Sequence, residues 1–138
     1  MPNGIDLILA DHERVRQLFE SFATEPSGVT VGLIVDALVA HDAAEHAALY
    51  PLIGSLLGDA VMVERAAAAH SAVKQQIEYL SALEGEPLIA AVGVLRRLVN
   101  AHVADEEQKM LPALRDAATP AQVDALGARL LQAKQRGG

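Results

Sequence analysis

The chain has 138 residues, 51% of them hydrophobic and 3% aromatic, with no cysteine and a formal net charge of -7. That length suits one domain spanning residues 1–138 and is enough to bury a core without cross-links. The lack of cysteine excludes disulfides, thiolate metal sites and covalent c-type haem attachment. The acidic balance argues against nucleic acid or an anionic membrane as partner. MPNGIDLILADHERV at the N-terminus has no basic region before its apolar residues, unlike a secretory signal. No apolar run approaches the length of a transmembrane helix, so a cytoplasmic location is expected.

Apolar spacing predicts four long helices and a short fifth, and no stretch alternates like a strand. The first opens at Asn3, a cap with Asp6 in the first turn, and carries the stripe Ile5, Ile8, Leu9, His12, Val15, Phe19, Phe22. TEPSG at 24–28 breaks it. The second runs from about Val29 to about Leu56, with Val31, Ile34, Val35, Leu38, His41, Glu45, Leu49 and Leu52 inward; Pro51 either kinks it or ends it early. Gly58 and Asp59 form the next turn, Asp59 as cap. Helix three presents Met62, Ala66, Ala69, His70, Val73, Ile77 and Leu80, and EGEP at 84–87 ends it, with Pro87 suited to a first helical position. Helix four presents Leu88, Ala91, Val92, Leu95, Leu98, Val99, His102, Glu106 and Met110. Thr119, Pro120 and Gln122 read as a capping box opening the fifth helix, at about 119–135, with Val123, Leu126, Leu130 and Leu131 apolar. That helix is expected to cover a bundle end or to form a dimer surface, and KQRGG to fray. Short connections between long helices imply an all-α fold, an antiparallel up-down-up-down four-helix bundle over about residues 3–115.

Four of the five histidines lie on these stripes, and Glu45 and Glu106 join them. Residues four apart on a helix differ by about 40° in direction and about 6 Å in height, so His41 with Glu45, and His102 with Glu106, reach one site. Distances from the turns give the depth of each group. His12 lies thirteen residues before Glu25 and His41 thirteen after Gly28; Glu45 lies thirteen before Gly58 and His70 twelve after; His70 lies fifteen before Gly85 and His102 seventeen after. Equal distances from a shared turn mean equal heights in an antiparallel bundle, and a two-residue mismatch is only about 3 Å. All six groups are therefore expected at one level of the core.

Four imidazoles and two carboxylates without sulfur suit a first-row metal such as iron, and less distinctively zinc or manganese. Six ligands exceed what one metal with an open position needs. They suit two metals, each with two histidines, sharing two carboxylates and leaving room for a solvent-derived bridge and an exogenous ligand. The ferritin-type Glu-x-x-His pair is absent: no histidine has an acidic residue three positions before it.

His12, His41-x-x-x-Glu45, His70 and His102-x-x-x-Glu106, with LYP and MLP following the two pairs, together resemble the hemerythrin-like, or HHE cation-binding, domain family across residues 1 to about 115. The resemblance implies a four-helix bundle with a non-haem di-iron centre: His12 and His41 on one iron, His70 and His102 on the other, Glu45 and Glu106 bridging. The oxygen-carrying members have a further histidine four residues after the helix-three ligand, where Lys74 stands here. They place their last carboxylate, an Asp, five residues after the helix-four histidine; Glu106 at plus four is chosen over Glu107, because plus five turns about 140° from His102. The missing histidine makes the site more symmetrical and more open, which speaks against reversible dioxygen carriage and for peroxide chemistry, redox sensing or iron sensing.

Other residues have plainer roles. His46 points about 140° from His41 and is assigned to the surface, and Tyr50, about 180° from His41 in a regular helix, is assigned to packing unless Pro51 distorts the helix. Lys74 either reaches a bound peroxide or snorkels to solvent. Glu107 and Asp105 are assigned to the solvated face, and Met62 and Met110 to the core. Three functions are expected in order: a site for dioxygen, peroxide or nitric oxide that decomposes hydrogen peroxide in its catalytic version; a non-catalytic iron or redox sensor signalling to a partner; and a bis-histidine haem bundle, which leaves both glutamates unexplained. The ligand set does not choose between carrier, enzyme and sensor, nor between monomer and homodimer.

Overall fold

The computed structural model describes residues 3–137. Five helices follow one another: α1 (Gly4–Thr24), α2 (28–57), α3 (Ala60–Leu80), α4 (Gly85–Ala117) and α5 (Pro120–Gly137). The first four form the antiparallel bundle, and there is no strand among the described residues. The helix ends follow the local chemistry. Asn3 caps α1 through Asp6 N–H, Ser27 caps α2 through Thr30 N–H, and Asp59 caps α3 through Met62 N–H. Gly58 closes α2 at φ 61°, in the left-handed region where glycine carries no Cβ penalty. The Thr119–Gln122 capping box forms in both directions, at 2.8 and 3.2 Å.

Two long helices are not regular. A π-turn occupies Glu45–Leu49 of α2 and a second occupies Glu106–Met110 of α4. Pro51 therefore neither ends α2 nor stands at the distortion; the π-turn directly precedes it, and Pro112 repeats the arrangement in α4. Pro lacks an N–H and its ring crowds the carbonyl four residues back. A wider turn just before each Pro accommodates that mismatch.

The core is divided. One apolar cluster includes Ile8, Leu49, Ile53, Leu111, Leu114 and Leu126; the other includes Phe19, Ile34, Leu38, Val92, Leu95 and Val99. Between them lie the buried polar side chains His12, His41, Glu45, His70, His102 and Glu106. Leu9, expected inward, is 37% exposed. On α3 only Ala66, His70 and Leu80 are fully buried, the rest of its stripe being half-buried. By length and composition, α4 is also long and apolar enough to cross a membrane, with a mean hydropathy of 1.2 over its best window. The sequence stripe understated this helix, although it carries His102 and Glu106 into the interior.

The fifth helix lies close to its expected bounds and is continuous to Gly137; Gly138, the last residue of the KQRGG tail, lies outside the described residues. The helix has 18 residues and packs against α1 and the π-turn region of α2. Leu126 sits where a Cβ on Gly4 would lie only 2.4 Å from it, so α1 and α5 approach closely because Gly4 has no side chain. Lys134, in the tail expected to fray, is held by Asp11 of α1. Leu126 is 2% exposed, so Leu126→Ala should destabilise the whole domain by about 2–5 kcal/mol, as Leu95→Ala should in the opposite cluster. Urea unfolding monitored by circular dichroism checks this. A loss under about 1 kcal/mol for Leu126→Ala alone would show that α5 is an appendage.

Candidate metal centre

Each of the four bundle helices brings one histidine to the layer between the two apolar clusters. α2 and α4 add a carboxylate one turn further on. Glu45 is fully buried and Glu106 is 1% exposed. All six residues singled out from the sequence meet here, and they fall into two groups: His12, His41, Glu45 and Glu106, and Glu45, His70, His102 and Glu106. Within each group, the ligand atoms lie within 4.8 Å of one another.

The two glutamates belong to both groups. Glu45 Oε1 lies 3.2 Å from His41 Nε2 and 3.1 Å from His70 Nε2. Glu106 divides its oxygens, Oε1 lying 3.2 Å from His12 Nε2 and Oε2 3.0 Å from His102 Nε2. His70 and His102 bring their Nε2 atoms to 2.7 Å of each other, which two lone pairs do not tolerate without a proton or a cation between them.

Tyr50 was missed as a site residue. Its hydroxyl stands inside the second group, 2.9 Å from Glu106 Oε2, 3.1 Å from Glu45 Oε1 and 2.9 Å from His70 Nε2. The cause is the π-turn. It absorbs one residue, so Tyr50 faces as if four residues beyond Glu45 instead of five, about 40° away and not about 140°. The available signal was the Pro six positions after each glutamate. At the corresponding place in α4 stands Leu111, buried in the apolar cluster.

Three histidines also have their outer ring nitrogen held by a carboxylate. His12 Nδ1 pairs with Glu107 at 2.8 Å, His41 Nδ1 with Asp11 at 2.9 Å, and His70 Nδ1 with Asp42. Such a bond fixes the ring and directs Nε2 inward. Glu107 is thus not simply a solvated side chain, though Asp105 is, pairing with Arg65 and Lys109 at the surface. Asp11 carried no signal, because its role depends on a contact between helices. His46 is largely exposed as expected, yet its Nε2 comes within 3.2 Å of His70 Nδ1. Met62 and Met110 lie in apolar packing, and Lys74 is exposed.

The protonation pattern reflects this crowding. Burial pulls the His41 imidazolium down, but Glu45 and Asp11 outweigh it and raise its pKa to about 10. Burial opposes charge on His102 too, and Glu106 and Glu45 raise it to about 9. His70 is lowered to about 3 by burial and by the neighbouring His102. Burial raises the Glu106 carboxyl, but His102 and His12 override it and hold the pKa well below the usual range. Tyr50 is kept protonated by burial and by both glutamates.

The donor set fits a cation. His12 Nε2, His41 Nε2, Glu45 Oε2 and Glu106 Oε1 are buried without a well-aligned hydrogen bond, the 3.2 Å approaches of the two histidines to the glutamates lacking hydrogen-bond geometry, and all four atoms belong to residues of the first group. Orphaned buried polar atoms are rare and costly. Four in one group are explained together by a metal, whose ligands need lone pairs and not protons.

The hemerythrin HHE cation-binding domain profile matches residues 3–114. The chain belongs to this family. It is also similar to the crystal structure of a hemerythrin HHE cation-binding domain-containing protein from Mycobacterium kansasii, with a TM-score of 0.87 and 19% identity over 99% of this chain and 88% of that one. At that identity the likeness speaks for the fold. No curated protein matches the chain in sequence.

The metal-free HHE domain should show a pH optimum set by the histidines. His41 and His102 are raised above the ordinary 6.5, so their contribution is complete below 6.5 and is lost as pH rises through about 9 to 10. His70 is depressed, so its contribution is complete above 6.5 and declines towards about pH 3. Glu106 acts in the same sense below its ordinary 4.5. Thermal melts of chelator-treated protein should therefore peak near pH 6.5 and fall on both sides. A melting temperature constant from pH 6 to pH 10 would contradict the assignment.

Proposed function

We propose that this HHE domain holds two iron ions and takes a small oxidant, dioxygen, peroxide or nitric oxide, at a His4Glu2 centre, with hydrogen peroxide as the substrate in a catalytic role. The supporting observation is that two donor groups share both buried carboxylates. His12 and His41 would bind one ion, His70 and His102 the other, with Glu45 and Glu106 common to both. Four imidazoles and two carboxylates without sulfur suit a first-row metal such as iron. When bound, the iron pair would supply redox equivalents and Lewis acidity, together with a solvent-derived bridge. The remaining work falls to the chain. Glu107, Asp11 and Asp42 hold the histidine rings, and the Tyr50 hydroxyl holds a proton 2.9 Å from Glu106 Oε2. The two apolar clusters exclude water from above and below. A bis-histidine haem has no use for the two glutamates at the heart of the layer.

The first test is elemental analysis of protein expressed with ample iron, followed by oxygen evolution from hydrogen peroxide. About two irons per chain are expected, as in two-metal sites with shared ligands, and a rate well above that of free iron. No bound metal, or a single zinc, would refute the di-iron proposal. A rate equal to free iron would remove the catalytic role alone.

Outer-shell carboxylates should matter nearly as much as the ligands. Asp11→Asn and Glu107→Gln are each expected to weaken iron binding by about 10–100-fold, while the fold, by circular dichroism, is retained. Chelator competition measures the affinity, and unchanged retention in both variants would show that these contacts do not orient the rings.

The sensor alternative has one observation in its favour. Asp11 binds His41 on one side and Lys134 of α5 on the other, so α5 touches the site through one carboxylate. In that role metal occupancy would protect the α5 amides from hydrogen exchange; equal exchange with and without iron would exclude it.

A further inference from the structure

The histidine layer does not close the bundle completely. Beside it lies a cavity of about 320 Å³, bounded by all four site histidines and walled by Val15, Leu38, Val73, Ile77 and Val99. It opens between α2 and α3, where Val39, Ala43, Lys74 and Glu78 line the exposed edge.

This space is too large for the small oxidants alone. At about 30 Å³ per water it has room for about ten waters, whereas dioxygen or peroxide occupies the space of one or two. Its volume falls at the lower end of the range of organic ligand sites, about 300–1,000 Å³. Waters against such walls find few hydrogen-bond partners, and displacing poorly held water with an apolar group is favourable. The ionic groups at the edge do not select an anion. At the edge Lys74 stands with Glu78 and Asp42, which leaves no cationic excess there; the positive charge of the cavity is at its inner end, with the histidines. Asp42 is also engaged by His70. The two long charged side chains at the opening can turn to solvent and leave the apolar walls to the occupant.

We propose that this cavity binds a hydrocarbon-rich organic molecule, not a cation, of about ten non-hydrogen atoms by the volume of about ten waters, its inner end against the histidines. The occupant's place beside a metal centre rests on the function proposed above; its place in the cavity does not. It would enter between α2 and α3 and bring one end to the layer where the small oxidant binds. The site would then serve an organic substrate or effector as well as a small oxidant.

Calorimetric titration of 1-octanol into the iron-expressed protein, with metal content measured on the same sample, tests this. One 1-octanol per chain should bind saturably, with octylammonium at least tenfold weaker. Val73→Trp, which fills the cavity, should weaken 1-octanol at least tenfold. Ala43→Phe at the exposed edge should act in the same direction and carries the test if Val73→Trp does not fold. No saturable binding, no effect of either filling substitution in folded protein, or octylammonium binding as tightly as 1-octanol would overturn the proposal. Two irons with no octanol binding would leave the metal centre standing and remove the cavity's role. Octanol binding without metal would support the cavity and remove the metal centre.

Discussion

Two carboxylates at the centre of a small bundle set the terms for everything around them. Glu45 and Glu106 are almost wholly withdrawn from water, and an ionised carboxylate without water is prohibitively costly unless positive charge or hydrogen bonds replace what was lost. The four bundle helices answer this by each supplying one imidazole at the same height. The apolar core, which in a bundle of this size is usually continuous, is interrupted there. Leucine, isoleucine and phenylalanine are displaced into an upper and a lower cluster.

The same layer ties the helices together laterally. His12 of α1 reaches Glu107 of α4, His41 of α2 reaches Asp11 of α1, and His70 of α3 reaches Asp42 of α2. Each link crosses from one helix to another, so the rings cannot be set independently of the bundle packing. Lys134 adds α5 to this circuit through Asp11. Ring orientation is thus a property of the whole tertiary structure, which accords with the effect of outer-shell groups on ligand geometry.

Much of this was legible in the sequence, for a definite reason. His41 and Glu45, or His102 and Glu106, are one helical turn apart, and a 3.6-residue period places them on a common face with no tertiary information. Counting from the turns then fixed their heights, because antiparallel helices of similar rise stay in register. The same arithmetic failed at Tyr50, since a single wider turn shifts the phase of every residue after it. Glu107 was misassigned because facing was judged on its own helix alone, and its partner is on α1. Asp11, next to His12 on the helix, shows no periodic signal at all. The extent of α5 agrees with the expected 119–135 to within two residues, but the contact that ties its last turn to α1, Lys134 with Asp11, is ionic and no hydrophobic pattern records it.

The two π-turns are alike in position and in the Pro that follows, but the residues they redirect differ: Tyr50 on α2 and Leu111 on α4. The resulting centre has a pseudo-twofold scaffold and a handed interior. The hydroxyl meets the His70–His102 pair and not the His12–His41 pair. A ligand with two identical ends loses that equivalence on entering such a site, because only one end meets an O–H. Polarity along the bound molecule is thereby imposed by one phenol before any chemistry begins.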